Sequence, residues 1–185
     1  MAERVWRINI VDDSPDDRVE AKVALREDPT RGYCFSEAET GRAGLQQLAA
    51  SPADQPDCLL LDFSLPDMNG AEFLAAMPRR EGQVAVPVVV LTGFATPEAS
   101  RAVLKAGAQE FVGKDWLTPV SLARAVESAV ERHAMARALW RHARELDQRR
   151  ADRQLRCRTV VKRGADRGAA PLLDAARPVQ ALIAG

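Results

Sequence analysis

Four short apolar runs, each ending in polar residues, constrain this 185-residue chain more than any other feature. Leu59-Leu60-Leu61 delivers Asp62, and the turn-rich stretch Phe63-Ser64-Leu65-Pro66-Asp67-Met68-Asn69-Gly70 follows at once. Ile8-Asn9-Ile10-Val11 leads into Asp12-Asp13, Val88-Val89-Val90-Leu91 into Thr92-Gly93, and Glu110-Phe111-Val112-Gly113 into Lys114. Near-continuous apolar runs mark strands buried on both faces, as in a parallel sheet. In open α/β sheets the functional groups gather beyond the carboxyl ends of the strands. Three acids, a hydroxyl and an amine are therefore expected at one sheet edge.

The intervening segments read as helices. Ser14 caps a helix over Pro15–Glu27, with proline at its first position. After a weaker strand at Tyr33–Ala38, Gly41–Ala50 forms a short amphipathic helix ended by Ser51-Pro52. Asn69 caps a helix running to about Met77, and Thr96-Pro97-Glu98 opens another that stops at Gly107. Thr118-Pro119 begins the last. Five strands alternating with five helices predict a doubly wound parallel sheet.

The final helix outlasts a single domain. Between Pro119 and Gly164 the sequence holds neither Pro nor Gly, so a helix to about Leu155 would have roughly 37 residues and run about 55 Å. Leu122, Val126, Ala129 and Val130 form a stripe suited to the sheet. Met135, Leu139, His142 and Leu146 then follow a 4-3-4 spacing like that of a coiled-coil seam. The chain divides as residues 1–130, a helical extension over 131–156, and a basic tail over 157–185 that is expected to be disordered or a linker, a short helix at Pro171–Ala176 being the alternative.

The zero net charge conceals this split. Residues 1–118 carry 12 Lys and Arg against 19 Asp and Glu; residues 119–185 carry 14 against 7. The Arg149–Arg163 stretch lacks interleaved aromatics and a helix-turn-helix pattern, so a solvated helical face is expected there rather than nucleic-acid binding. Cys34, Cys58 and Cys157 fit neither a disulfide framework nor a zinc site, which suits a reducing cytoplasm. No apolar run is long enough to span a membrane, and the first residues lack a secretory signal.

Clustered carboxylates repel by about 1 kcal/mol per pair at ~4 Å in water and about 4 kcal/mol at an effective dielectric of 20. A divalent cation relieves this, and an all-oxygen donor set favours Mg²⁺ or Mn²⁺ over zinc. Asp62 can then act as a nucleophile toward phosphorus. Lys114 would hold a phosphoryl oxygen as a point charge, and the Thr92 hydroxyl would donate to another. Asp16, Asp17 and Asp67 read as solvated loop or first-turn acids.

Four motifs in order carry a resemblance: Val11-Asp12-Asp13-Ser14-Pro15-Asp16-Asp17, Leu59 through Gly70, Val89-Val90-Leu91-Thr92-Gly93, and Gly107-Ala108-Gln109-Glu110-Phe111-Val112-Gly113-Lys114. With them, residues 5–130 resemble a CheY-like response-regulator receiver domain of bacterial two-component signalling. The resemblance implies a flavodoxin-like fold and a phosphoacceptor at Asp62. It implies a Mg²⁺ site from Asp12, Asp13, Asp62 and the Ser64 carbonyl, with Asp13 the more direct ligand of the acidic pair, and a switch pair of Thr92 and Phe111. It also implies a partner histidine kinase or phosphotransfer protein, output through the face of the fourth helix, fifth strand and fifth helix, and no enzyme activity beyond self-catalysed phosphotransfer and dephosphorylation. Dimerisation through the C-terminal helix is the expected consequence of the seam. One departure is Asp115, where the family commonly has a cis-linked proline after the lysine; no cis bond is expected at Lys114-Asp115.

Two other readings compete. The chain could be an input module cut from a sensor kinase or cyclic-dinucleotide enzyme, or a module that dimerises without phosphate. A magnesium-dependent phosphohydrolase would need a second acid two residues after the nucleophile, where this chain has Ser64.

Overall fold

The computed structural model describes residues 4–50, 55–93 and 96–168. Its central sheet contains β1 (Trp6–Val11), β2 (Tyr33–Ala38), β3 (Cys58–Asp62), β6 (Val88–Thr92) and β7 (Glu110–Gly113), in the order β2-β1-β3-β6-β7. Every pairing within it is parallel. Around it lie α1 (Pro15–Arg26), α2 (Gly41–Ala50), α3 (Gly70–Ala76), α4 (Pro97–Ala106) and α5 (Pro119–Gly168). This is the doubly wound, flavodoxin-like architecture read from the sequence, with strand order reversing at β1.

The two helical layers bury opposite faces of each strand. Val11, Leu59, Leu61, Val88 and Val90 pack with Leu48, Phe73, Leu74 and Val103 from α2, α3 and α4. Ile8, Ile10, Leu60, Val89 and Leu91 pack with Ala21, Leu25, Leu122, Val126 and Ala129 from α1 and α5. All five residues of both β3 and β6 are buried, which is why these strands read as unbroken apolar runs.

Local signals set the helix starts. Ser14 caps α1 ahead of Pro15, Thr96 caps α4 ahead of Pro97, and Asn69 with Glu72 forms a capping box on α3. Gly107, at φ 117, ends α4 in the left-handed region open to glycine. Helix α5 reaches Gly168 instead of stopping near Leu155; no proline lies between Pro119 and Pro171, and the interior Gly164 costs a helix only about 1 kcal/mol. Residues 157–168, expected as disordered tail, continue this helix; residues 169–185, with the alternative Pro171–Ala176 helix, lie outside the described residues, as does the Ser51-Pro52 stop.

Two features escaped the sequence reading. Lys114–Trp116 forms a single 3-10 turn, and its peptide bonds are trans. Between α3 and β6, β4 (Arg79–Arg80) and β5 (Gln83–Val84) make a small antiparallel hairpin. Its two loop residues, Glu81 (φ 54) and Gly82 (φ 77), both have positive φ, as a type I′ turn requires. Glutamate at such a position costs about 1–2 kcal/mol, so side-chain contacts must stabilise the turn.

The chain unit Met1–Arg141 is compact by itself, and His142–Gly185 forms a second unit carrying the rest of α5. Met135, Leu139 and Leu146 are 63%, 72% and 41% exposed, so the apolar seam has no partner within the described residues. His142 is also exposed, whereas His133 is buried.

Close approach of α2 to β1 depends on Gly44. A Cβ there would stand 2.7 Å from Val11 Cγ2 and 3.2 Å from Phe73 Cε2. Both neighbours are fully buried, so the steric cost of about 1–3 kcal/mol outweighs the roughly 1 kcal/mol that alanine gains in a helix. Gly44→Ala is therefore expected to lower the urea midpoint of unfolding.

Candidate functional site

Parallel register brings the ends of β1, β3 and β7 to one edge. Val11 pairs with Leu61, Asp62 with Leu91, and Thr92 with Gly113, so Asp12, Asp62, Thr92 and Lys114 all fall at the carboxyl ends of the strands. Lys114 Nζ lies 2.8 Å from Asp12 Oδ2, 2.7 Å from Asp62 Oδ1 and 2.6 Å from Asp17 Oδ2. The side chains of Asp12 and Asp62 are 3% and 7% exposed.

Each carboxylate is also held by its own backbone. Asp12 Oδ1 accepts from the Ser14 amide at 2.9 Å, and Asp62 Oδ2 from the Ser64 amide at 2.7 Å. These two-residue loops are the local preference of aspartate in turns, so each acid is oriented by its own loop as well as by Lys114. Arg18 donates to the Asp12 carbonyl at 2.7 Å and to Glu37 and Glu39 at 2.9 and 3.0 Å. It thereby pins the β1 end to α1 and to the end of β2.

The charges explain the titration behaviour. Burial pushes the Asp12 carboxyl above its ordinary value, although hydrogen bonds from Lys114 and Ser14 oppose this. At Asp17 the Lys114 hydrogen bond prevails and holds the carboxyl low. Burial acts to lower the Lys114 ammonium, but its bonds to Asp12, Asp17 and Asp62 outweigh it and raise the group. One ammonium thus faces three carboxylates, a surplus of negative charge before Asp13 is counted.

The remaining expected residues fall around this cluster. Asp13 is exposed at the mouth of the loop. Thr92 is buried at the end of β6. Phe111 is half-buried, pairs with Val90, and packs on the same sheet face that Thr92 shares. Among the described residues, no three acidic, His or Cys side chains already converge in a metal-ligating arrangement; the ammonium stands between the acids instead. The donor set is all oxygen and under-neutralised, with Asp12 and Asp62 buried and Asp13 exposed, which fits Mg²⁺.

Two acids read as solvated loop or first-turn acids also hold specific partners. Asp17 binds Lys114, because the first turn of α1 stands over the site. Asp67 accepts from the amides of Gly41 and Arg42 at 2.8 and 2.9 Å, joining Thr40 in capping α2 from a loop 25 residues away. Nothing local in the sequence signals that contact. Arg18 was also overlooked, though it shares the buried face of α1 with Ala21 and Leu25 at helical spacing.

This geometry agrees with the comparisons. A family model for the response regulator receiver domain matches residues 8–127. The chain therefore belongs to the response regulator receiver family, whose members act as regulators. The transcriptional regulatory protein KdpE of Mycobacterium tuberculosis is 34% identical over 152 residues, which cover 82% of this chain and 63% of that protein. A probable cyclic di-GMP phosphodiesterase of Vibrio cholerae is 33% identical over 115 residues, 62% of this chain and 24% of the relative. The signal receiver domain of a response regulator, NarL, from Mycobacterium tuberculosis superposes with a TM-score of 0.59 at 28% identity, covering 69% of this chain and 98% of that one. The chain thus spans under two thirds of the curated relatives it matches. Receiver domains generally bind Mg²⁺ in their acidic pocket. Among the described residues, no helix is long and apolar enough to cross a membrane.

The raised Asp12 value has a signed consequence. An acid whose folded value lies above 3.8 favours the folded state when protonated, so its ionisation removes stability as pH rises through the folded value. Asp12→Asn mimics the protonated form. Its urea midpoint should exceed the wild type's at pH 8, with the difference shrinking toward pH 4.

Proposed function

We propose that the chain is a phosphoacceptor receiver modified on Asp62. The observation that carries this reading is the position of Lys114, whose ammonium touches both buried strand-end acids at 2.7 and 2.8 Å. Asp12, Asp13, Asp62 and the Ser64 carbonyl would hold Mg²⁺, which supplies charge neutralisation for an incoming phosphoryl group. An Asp62 carboxylate oxygen attacks phosphorus, the donor's leaving group departs, and an acyl phosphate remains. Lys114 then exchanges a carboxylate partner for a phosphoryl oxygen, and the Thr92 hydroxyl donates to another. Self-catalysed phosphotransfer and dephosphorylation complete the cycle.

The modification adds about −1.5 to −2 charge at the sheet edge. Thr92 moves toward it and vacates space on the face it shares with Phe111, which turns inward. The surface of α4, β7 and α5 changes in response. The donor would be a histidine kinase or phosphotransfer protein in the cytoplasm. Functionally the chain divides into a receiver over 1–130, a signalling helix over 131–156 and a basic tail over 157–185. With Met135, Leu139 and Leu146 exposed along one seam, the extension supports a homodimer. The short match within the much longer phosphodiesterase relative supports a second reading, in which the chain is the input module of a larger protein.

Incubation with acetyl phosphate and Mg²⁺ should add one phosphoryl group by intact-mass spectrometry, and Asp62→Asn should add none. Equal modification of wild type and variant would rule out Asp62 as acceptor. Leu139→Glu places a charge in the seam and should convert a dimer to monomer in light scattering. An unchanged mass would exclude the seam as the interface.

A further inference from the structure

The β4–β5 hairpin touches two helices at once. On one side, Arg79 donates to the carbonyl of Ala106 at 3.1 Å, the last residue of α4. The buried Val84 side chain sits beneath the α4 terminus, where a Cβ on Gly107 would meet its Cγ1 at 3.2 Å. On the other side, His133 Nε2 of α5 lies 2.9 Å from the Val84 carbonyl. Arg137 and Arg141 reach Glu81 Oε2 at 3.0 and 3.8 Å. The Trp140 indole lies against the turn so closely that a Cβ on Gly82 would be 2.7 Å from its Nε1.

The chemistry of these contacts is specific. A carbonyl only accepts, so His133 must donate through a protonated Nε2; burial lowers its basicity and favours the neutral ring. Glu81 occupies a backbone region unsuited to it, yet both α5 arginines converge on its carboxylate. A turn built only to connect α3 with β6 would be better served by Asn-Gly. Glutamate there is explained by what it binds.

We propose that the hairpin is a latch joining the C-terminal end of α4 to residues 133–141 of α5, so that movement of α4 on phosphorylation is relayed to the helix leaving the receiver. Val84 is the pivot: its side chain meets the α4 end while its carbonyl holds His133. Glu81 is a positioning residue that fixes the turn on α5. The relay rests on the phosphoacceptor reading, whereas the latch itself can be tested without phosphate.

Hydrogen exchange with peptide mass spectrometry on the full chain decides the matter, with intact mass measured in parallel. Glu81→Gln should speed exchange over residues 133–141 at least about threefold in the unmodified protein, because both arginine pairs lose their charged partner. In the wild type, acetyl phosphate with Mg²⁺ should change exchange at the α4 end and at 133–141 together. In Glu81→Gln the mass gain and the α4 change should persist while the change at 133–141 is lost. Unaltered exchange at 133–141 in the unmodified variant would overturn the latch. A wild type that gains the phosphoryl group and changes at α4 but not at 133–141 would overturn the relay and leave the receiver reading intact. No mass gain would sink the phosphoacceptor reading and the relay with it.

Discussion

The ammonium of Lys114, set between Asp12, Asp17 and Asp62, is the contact on which the rest of this molecule turns. It joins the ends of β1, β3 and β7 and the first turn of α1, so it closes the carboxyl edge of the sheet. Without a cation between them, buried carboxylates repel by about 4 kcal/mol per pair at ~4 Å and an effective dielectric of 20. With one cation for three acids, the edge is held together and still under-neutralised. In the proposed function, the same imbalance that costs stability prepares a place for a divalent ion that neutralises an incoming phosphoryl group.

The opposite end of the sheet is organised by different forces. There the hairpin between α3 and β6 is clasped by aromatic, imidazole and guanidinium groups of α5. Helix α5 therefore serves two surfaces. Its early turns bury Leu122, Val126 and Ala129 against the sheet, and its later turns hold the hairpin before the helix continues past Arg141. The exposed seam at Met135 and Leu139 overlaps this second region. In the proposed scheme, the residues that would form a dimer and those that would sense α4 share three turns of one helix.

Much of this was legible in the chain itself. β3 and β6 were readable because burial on both faces demands unbroken apolar runs, and Asp62 and Thr92 stand at the ends of theirs. The helix starts were readable because Ser14, Asn69 and Thr96 act on amides three residues away. The partners of Asp17 and Asp67 were not legible, because Lys114 and the α2 amides lie 97 and 25–26 residues distant. No local pattern encodes such a contact. The hairpin was missed for another reason: its strands are two residues long, and its turn uses Glu81 where the recognisable signal is Asn or Asp.

By itself, the sequence determined the alternation of strands and helices, the acids and amine at the strand ends, and an unbroken last helix from Pro119 to about Leu155, short of its end at Gly168. Those properties depend on periodicity, capping and the placement of Pro and Gly, all of which act over a few residues. Tertiary structure alone decided that one lysine would bridge three acids, that Arg18 would anchor the β1 end, and that α5 would grip a hairpin beginning more than fifty residues earlier. The reason is geometric. Parallel register sets which strand ends meet, and only then do charges far apart in the chain come within hydrogen-bond distance.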